Sequence, residues 1–299
     1  MNVSQRLTKL YQSAKEIWFN NFSKIILLSD CHRGDNSLAD DFVHNKSVYL
    51  TALQYYYYKG FTYFELGDAD ELWEFKNFSS IYNAHREVFD WLVKFHRQNR
   101  YLMIWGNHDI YKKDPHFLLT RQCNISGAPL FDNLDAYESV ILHDQNYGYK
   151  MLLLHGHQAD PINDRYWRIS CFLDRYLWRR LELLGVNDPI SPAKNYRKKN
   201  IIEQRIVNWI NENHLAVIAG HTHRPVFPKT DEPPYFNCGS CIYPDGITGI
   251  EIANGKIALV KWSARARVCN DQNSSVTRTL LAGPESLYVF SRREMKREA

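Results

Sequence analysis

Two histidines one residue apart, His221 and His223, follow an apolar run and precede Arg224 and Pro225 in the stretch AVIAGHTHRP. A His-x-His pair leaving a strand can present two imidazoles to one small volume, an arrangement that metal ions exploit. Histidines also sit at strand ends for ordinary hydrogen-bonding reasons, so the pair does not decide the matter alone. Four further apolar runs end in polar clusters of the same kind: KIILLSDCHRGD (24–35), FTYFELGDADELWE (61–74), RYLMIWGNHD (100–109) and YKMLLLHGHQAD (149–160). Collected, the side chains at the five run ends are Asp30, His32, Asp68, Asn107, His108, His155, His157, His221 and His223. Each one singly could cap a helix or hold a turn. Five clusters, each where an apolar run stops, point instead to one shared site. Carboxylate oxygen, amide oxygen and imidazole nitrogen together suit borderline divalent ions, manganese foremost, with iron, zinc and cobalt also served, and suit neither a calcium cage nor a thiolate cluster. The set is large enough for two ions. Two ions about 3.5–4 Å apart can share a carboxylate and a hydroxide and can clamp the attacking and leaving oxygens of an in-line displacement at phosphorus. Phosphate-ester hydrolysis is the chemistry that follows.

The elements that must position these residues are legible as well. Each run reads as a buried strand followed by a loop, and helix-length stretches at 43–59, 81–99 and 201–213 lie between several of them. That alternation places successive loops on one sheet edge, where α/β proteins build their sites. After Pro225 the pattern changes: TGIEIANGKIALVKWS alternates on either side of Asn254-Gly255, a hairpin signal, so antiparallel strands close the chain. SRREMKREA at the end reads as a solvated tail. The preferred partition is a single domain over 1–299 with one insertion at 158–214.

Composition narrows the class. A chain of 299 residues with 44% hydrophobic content can bury a substantial core. No apolar run approaches the roughly 20 residues that cross a bilayer, and the first twenty residues lack a secretory apolar core, so a soluble cytoplasmic protein is expected. Leu7, Leu10, Tyr11, Ala14, Ile17 and Trp18 fall at helical spacing. Such a stripe packs on its own domain or makes peripheral contact with the inner face of the membrane. Cys238 and Cys241 form a lone C-x-x-C without a second pair, which reads as reduced structural thiols. Cys31, between two candidate ligands, should point away from them because side chains alternate along extended backbone. The net charge of +4 is local: residues 158–200 hold nine Lys and Arg against five Asp and Glu, a surplus of 9 − 5 = 4. A basic surplus confined to one insertion disfavours nucleic acid as the partner.

The series D-x-H (Asp30, His32), G-D (Gly67, Asp68), G-N-H-D (106–109), H-G (His155, Gly156) and G-H-x-H (220–223) resembles that of the calcineurin-like metallophosphoesterases, from residue 25 to about 250. The resemblance implies an α/β fold, a four-layer αββα sandwich of two sheets flanked by helices, with a helical insertion before the last metal motif. It implies two divalent metal ions at the mouth of the loops, with a bridging hydroxide that attacks phosphorus. Asp30, His32, Asp68 and His223 would hold one ion; Asp68 would bridge; Asn107, His155 and His221 would complete the second. His157 could reach the same ion as His155. His108 matches the family's catalytic histidine that is not a ligand. A protonated imidazole there can stabilise developing charge and protonate the leaving oxygen. It needs an orienting carboxylate, for which Glu71 is the first candidate and Asp109 the second.

Within that family, GDADELWE is similar to the G-D-x-x-E-x-W stretch of the bacterial UDP-diacylglucosamine hydrolases, which cleave a pyrophosphate bond; Glu71 and Trp73 fall in the matching places. That subgroup also carries a helical insertion where this chain has 158–214. Arg165, Arg168, Arg179, Arg180, Lys198 and Lys199 could attract a phosphoanion there, while Trp167, Phe172, Tyr176 and Trp178 could cover an apolar or base moiety. An amphipathic helical pair with its aromatics on the core fits the same residues. The subgroup carries Arg where this chain has His108, which pulls the mechanism toward the generic family. The substrate implied is a phosphorylated small molecule or lipid-nucleotide conjugate, a phosphodiester or pyrophosphate, with a phosphomonoesterase or a cyclic-nucleotide or nucleic-acid phosphodiesterase as the alternative. A protein Ser/Thr phosphatase is disfavoured because its G-D-x-x-D-R-G is absent, and a non-catalytic scaffold because no candidate ligand is lost.

Overall fold

The computed structural model describes residues 1–178, 195–264 and 275–295. Each apolar run is a short strand whose alternate side chains enter different layers, which is why the runs look continuously apolar. Seven strands form one sheet: Lys24–Leu28 (β2), Thr62–Leu66 (β3), Tyr101–Ile104 (β4), Ala136–Tyr137 (β5), Ile247–Ala253 (β10), Lys256–Ala264 (β11) and Val276–Ser286 (β12). Their order is β12-β11-β10-β2-β3-β4-β5, with β2 to β5 parallel and β10 to β12 antiparallel. Five strands form the other: Lys15–Phe19 (β1), Ser139–Asp144 (β6), Lys150–Leu154 (β7), Ala216–Ala219 (β8) and Tyr235–Asn237 (β9), in the order β1-β6-β7-β8-β9.

The sheets pack face to face. Leu27, Phe64, Leu66, Leu102 and Ile104 meet Val140, Leu142, Met151, Leu153, Ala216 and Ile218 between them. The alternate residues Ile26, Leu28, Tyr63 and Met103 point outward, under helices Lys46–Tyr58 (α2), Phe78–Ala84 (α3) and Arg86–Arg97 (α4). On the far side Ile141, Leu152, Leu154 and Val217 are covered by Leu7 and Leu10 of Val3–Ser13 (α1) and by Ile202, Ile206 and Trp209 of Tyr196–Asn213 (α8). The result is helix, sheet, sheet, helix. Each fully buried aliphatic or aromatic side chain in these layers contributes about 1.5–3 kcal/mol. Among the described residues no helix is long and apolar enough to cross a membrane.

The structure departs from the sequence reading in local detail. The stripe at 7–18 is divided, because α1 ends at Ser13 and Ile17 and Trp18 lie on β1. Leu7 and Leu10 pack against α8, while Trp18 is exposed and stacked on His143. The helix read at 81–99 breaks at His85, whose ring is drawn into the core by Asp40 Oδ2 at 2.7 Å. The hairpin at Asn254-Gly255 has both residues at positive φ (53° and 67°), as a type I′ turn requires. The helix Leu287–Met295 (α9) runs on into the first residues of the expected tail, and its first turn, ahead of that tail, sends Leu287 and Phe290 into the core between the sheets.

Candidate metal centre

The five loops that leave β2, β3, β4, β7 and β8 converge. Beyond their strands, the first two loops stay zipped together: the amides of Asp30, His32 and Arg33 donate to the carbonyls of Gly67, Asp68 and Ala69 at 3.1, 2.9 and 3.0 Å. The Gly220 amide donates to the His155 carbonyl at 2.8 Å, which joins the loops after β7 and β8. Asp30, His32, Asp68, His221 and His223 all have φ between 46° and 67°. A left-handed residue just past a strand reverses the side chain's direction and turns it inward. Glycines make the necessary room: a Cβ on Gly106 would lie 2.1 Å from Asp68 Oδ1.

Two groups of ligand atoms result. Asp30, His32 and His223 form one, and Asp68, His155 and His221 form the other, with the atoms of each group within 4.8 Å of one another. The groups share a border. Asp68 Oδ2 lies 2.9 Å from His155 Nε2 and 3.9 Å from His32 Nε2. Asp30 Oδ1 lies 3.0 Å from His223 Nε2, 3.8 Å from His32 Nε2 and 3.9 Å from His155 Nε2. The other oxygen of each carboxylate is held by backbone, with Asp68 Oδ1 accepting from the His108 amide at 2.8 Å and Asp30 Oδ2 from the His221 amide at 2.9 Å.

The donor set fits divalent ions on structural grounds. Asp30 Oδ1, His32 Nε2, both polar atoms of the Asn107 side chain, His155 Nε2 and His221 Nε2 are buried without a hydrogen-bond partner. Such groups are costly unless something else satisfies them. Tautomers are set from behind: His155 Nδ1 donates to the Leu66 carbonyl and His32 Nδ1 to Glu71 Oε2, each at 2.8 Å, which leaves both Nε2 lone pairs facing the site. Burial lowers the pKa of His221 and of His223, keeping both neutral. Burial also opposes a cation at His155, yet Asp68 and Asp30 raise it to about 9. A site with that potential draws positive charge.

His108 and Glu71 stand at its edge. Glu71 accepts from His32 with one oxygen and, with the other, from His108 Nδ1 at 2.8 Å. Burial disfavours the His108 cation, but the carboxylates of Glu71 and Asp68 outweigh it and raise the group to about 9. Trp73 stacks on the His108 ring at 4.2 Å and fixes its plane. Asp109 does different work. Its Oδ1 accepts from the amides of Gly106 (2.7 Å) and Asp68 (3.2 Å), its Oδ2 from the amide of Ala69 (3.1 Å), and it pairs with Lys112 at 2.9 Å. Its carboxylate is therefore spent on the loops' backbone, and Glu71 is the carboxylate that touches His108.

His157 stands apart from the two ligand groups, in a third set with Glu138 and Asp164. Arg6 already supplies the positive charge there, paired with both carboxylates. Cys31 lies in the outer core under the helices, away from the ligands on either side of it, and Cys238 and Cys241 are buried free thiols.

Of the insertion's arginines, Arg165 and Arg168 are exposed, the latter over the Trp167 ring, while Arg179 and Arg180 lie outside the described residues. Arg175, which sequence reasoning passed over, reaches inward and donates to the Trp73 carbonyl and, at 3.1 Å, to that of Leu72. Three sets of pairings are also invisible in the sequence, although Lys198 and Lys199 themselves are among its candidate phosphoanion contacts. Asp160 Oδ2 lies 3.5 Å from His221 Nε2 and pairs with Lys198 at 2.9 Å. Tyr243 lies beside His223, and its hydroxyl is 3.5 Å from Lys199 Nζ. Arg33 and Lys112 are fully buried and share Asp70, with Glu65 on Arg33 and Asp109 on Lys112. Nothing in the sequence distinguishes these charges from a solvated face, apart from their adjacency to the ligand motifs.

Comparison with known proteins supplies the remaining observation. No curated protein matches the chain. Among solved structures, vacuolar protein sorting 29 from Cryptosporidium parvum is similar at 12% identity, covering 87% of this chain and 98% of that one with a TM-score of 0.42. A conserved protein of Streptococcus pneumoniae described as a predicted phosphoesterase is similar at 15% identity, with coverages of 86% and 97% and a TM-score of 0.37. A cold-active protein-tyrosine phosphatase of a psychrophilic Shewanella is similar at 12% identity, covering 82% and 80%, with a TM-score of 0.41. At these scores the likenesses bear on neither substrate nor mechanism. The family model described as calcineurin-like phosphoesterase matches residues 23–225, a span that contains every loop of the candidate centre. The chain therefore belongs to the calcineurin-like phosphoesterase family.

Proposed function

We propose that this protein hydrolyses phosphate esters with a pair of divalent ions, manganese foremost, and that its substrate is a phosphodiester or diphosphate rather than a small phosphomonoester. The observation that carries the reading is the shared border of the two ligand groups, where Asp30 and Asp68 each turn one oxygen toward imidazoles of both. Asp30, His32, Asp68 and His223 would hold one ion, and Asp68, Asn107, His155 and His221 the other. When bound, the ions supply Lewis acidity at the phosphoryl group and lower the pKa of the attacking water.

The chain's own residues do the rest. His108, held at Nδ1 by Glu71 and on its face by Trp73, offers Nε2–H to the leaving oxygen. Glu71 keeps that ring cationic and aimed. Asp68 accepts the His108 amide, so the acid and the ligand move as one unit. The described parts of the insertion at 158–214, within one domain over 1–299, bring Asp160 and its partner Lys198 beside His221, and the insertion's basic and aromatic side chains suit a substrate with an apolar or nucleotide group. A UDP-linked lipid is the specific candidate. The test is a hydrolysis panel with Mn²⁺ that compares a phosphomonoester, a phosphodiester and a UDP-linked lipid, run beside His108→Ala. That variant should keep its metal and lose about 10²–10⁴ in rate, the usual worth of a positioned acid. Aryl esters, with good leaving groups, should suffer less than alkyl esters. Equal losses on both would remove His108 as the acid, and no turnover of any ester would remove the reading.

A further inference from the structure

The first turn of α8 is unusual. It carries Arg197, Lys198 and Lys199 and no acidic residue, so three cations crowd the positive end of the helix dipole. Asn195 caps the helix by accepting from the Lys198 amide at 3.1 Å. Lys198 is paired with Asp160. Lys199 is not comparably balanced. It is about nine-tenths buried, its Nζ lies 3.5 Å from the Tyr243 hydroxyl, and the charged neighbour that acts on it is Arg224, another cation. Glu203, one turn along the helix, does not relieve it, because that carboxylate is paired with Arg224, which also donates to Asn200 at 3.0 Å. Among the described residues, then, Lys199 is a buried ammonium without a carboxylate, in a fold that pairs its other deeply buried cations, Arg33 and Lys112, with carboxylates.

A buried charge of this kind is retained only at a cost, and the cost is lifted when an anion arrives. Its position says which anion. The Tyr243 ring lies 6.4 Å from the ring of His223, and its hydroxyl meets Lys199, so a single tyrosine stands in contact with the ammonium and near a candidate metal ligand. A lone phosphate held at the ligands has no second group to offer it. A substrate with a second anionic group on the His223 side does.

We propose that Lys199, with the Tyr243 hydroxyl beside it, binds the non-reacting anionic group of a diphosphate-type substrate. This rests on the phosphoester reading of the metal centre but concerns a separate contact. It assigns the choice of diphosphate over monophosphate to two residues outside the ligand set. A compact ammonium and a phenol suit a phosphate oxygen, where the ammonium supplies charge and the hydroxyl a directed donor.

The probes are inorganic phosphate and inorganic pyrophosphate, titrated calorimetrically into the full-length protein loaded with Mn²⁺. The native chain should bind pyrophosphate at least about tenfold more tightly than phosphate. Lys199→Met should bring that ratio near one without changing the metal content, Lys199→Arg should restore most of it, and Tyr243→Phe should take away a smaller part. Because Lys199→Met removes an unbalanced buried charge, it should melt at the native temperature or above, which separates a lost contact from a damaged fold. A native ratio near one, or a ratio that survives in Lys199→Met, overturns the proposal even if esters are hydrolysed. A ratio that collapses in Lys199→Met while no ester is turned over keeps the anion site and removes the hydrolase reading instead.

Discussion

Replacing Glu71 by Gln should separate the chemistry of His108 from the binding of metal. The change keeps the shape and removes the charge. In the native site Glu71 accepts from His108 Nδ1 and from His32 Nδ1, each at 2.8 Å. An amide oxygen can still accept from one imidazole, but its NH₂ group cannot accept from the other. Burial works against the His108 cation and the carboxylates of Glu71 and Asp68 raise it to about 9 from an ordinary 6.5. Activity that needs the acid form is present below that pKa and is lost as pH rises through it. With Glu71 neutral, burial is opposed by Asp68 alone, so the alkaline limb should move down by about two units, and at pH 8 the acid form should fall by roughly 10-fold. Because His32 also loses a partner behind it, metal affinity should weaken by about 10- to 100-fold, so rates must be read at saturating Mn²⁺. The assay is kcat against pH between 6 and 10 for an alkyl and an aryl ester. An alkaline limb that stays in place in Glu71→Gln, whatever happens to kcat, would refute the claim that this carboxylate holds the His108 proton.

Two more predictions test the centre and its support. Asp68→Ala should lose most of its metal and all turnover, since one carboxylate faces both ligand groups and offsets the repulsion between two cations; elemental analysis that finds two retained equivalents would exclude the bridging role. Lys112→Met should leave Asp109 without a cation in the core and Asp70 with Arg33 alone. Breaking a buried pair costs about 3–5 kcal/mol, which for a chain of this size lowers Tm by roughly 5–8 °C. Calorimetry showing a shift under about 2 °C would mean that Lys112 is not balancing those charges.

The ligand residues were legible because a strand followed at once by its ligand is a pattern within a few consecutive residues. Asp30, Asp68, Asn107, His155 and His221 all sit at the first turn past an apolar run, and the sandwich needed only the runs and the helices between them. What stayed hidden is pairing across loops. Arg33 lies in the loop after β2, yet its partners Glu65 and Asp70 belong to β3 and its loop, and Lys112 follows β4. Each looks solvated when read along the chain. The same holds for Asp160 beside His221 and for Lys199 beside Tyr243, contacts between residues 61 and 44 positions apart. Asp109, the second candidate for orienting His108, is likewise turned across loops, to the amides of Asp68 and Ala69. The helix at the end was hidden for another reason: Leu287 and Phe290, three apart just ahead of the charged tail, are too few to show a period, yet they fill the gap between the sheets.

The hidden pairs explain how the legible residues can work. Five candidate ligands hold left-handed backbone, a conformation that costs a residue with a side chain of order 1–3 kcal/mol, less for Asp and His than for β-branched residues. Their loops would relax if free to do so. They are not free: Arg33 ties the loop after β2 to β3 through Glu65 and to the next loop through Asp70, Lys112 ties Asp70 to Asp109, and Asp109 holds the amides of Gly106, Asp68 and Ala69. One chain of buried charge thus crosses three loops and ends on the backbone of the residue that faces both ligand groups. A hydrophobic replacement could fill the same volume, and buried ion pairs are weak sources of stability in themselves. What apolar packing lacks is direction. Hydrogen-bonded charges fix angles as well as distances, and ligands aimed by strained backbone require that direction if two imidazoles and a carboxylate are to reach one point from three different loops.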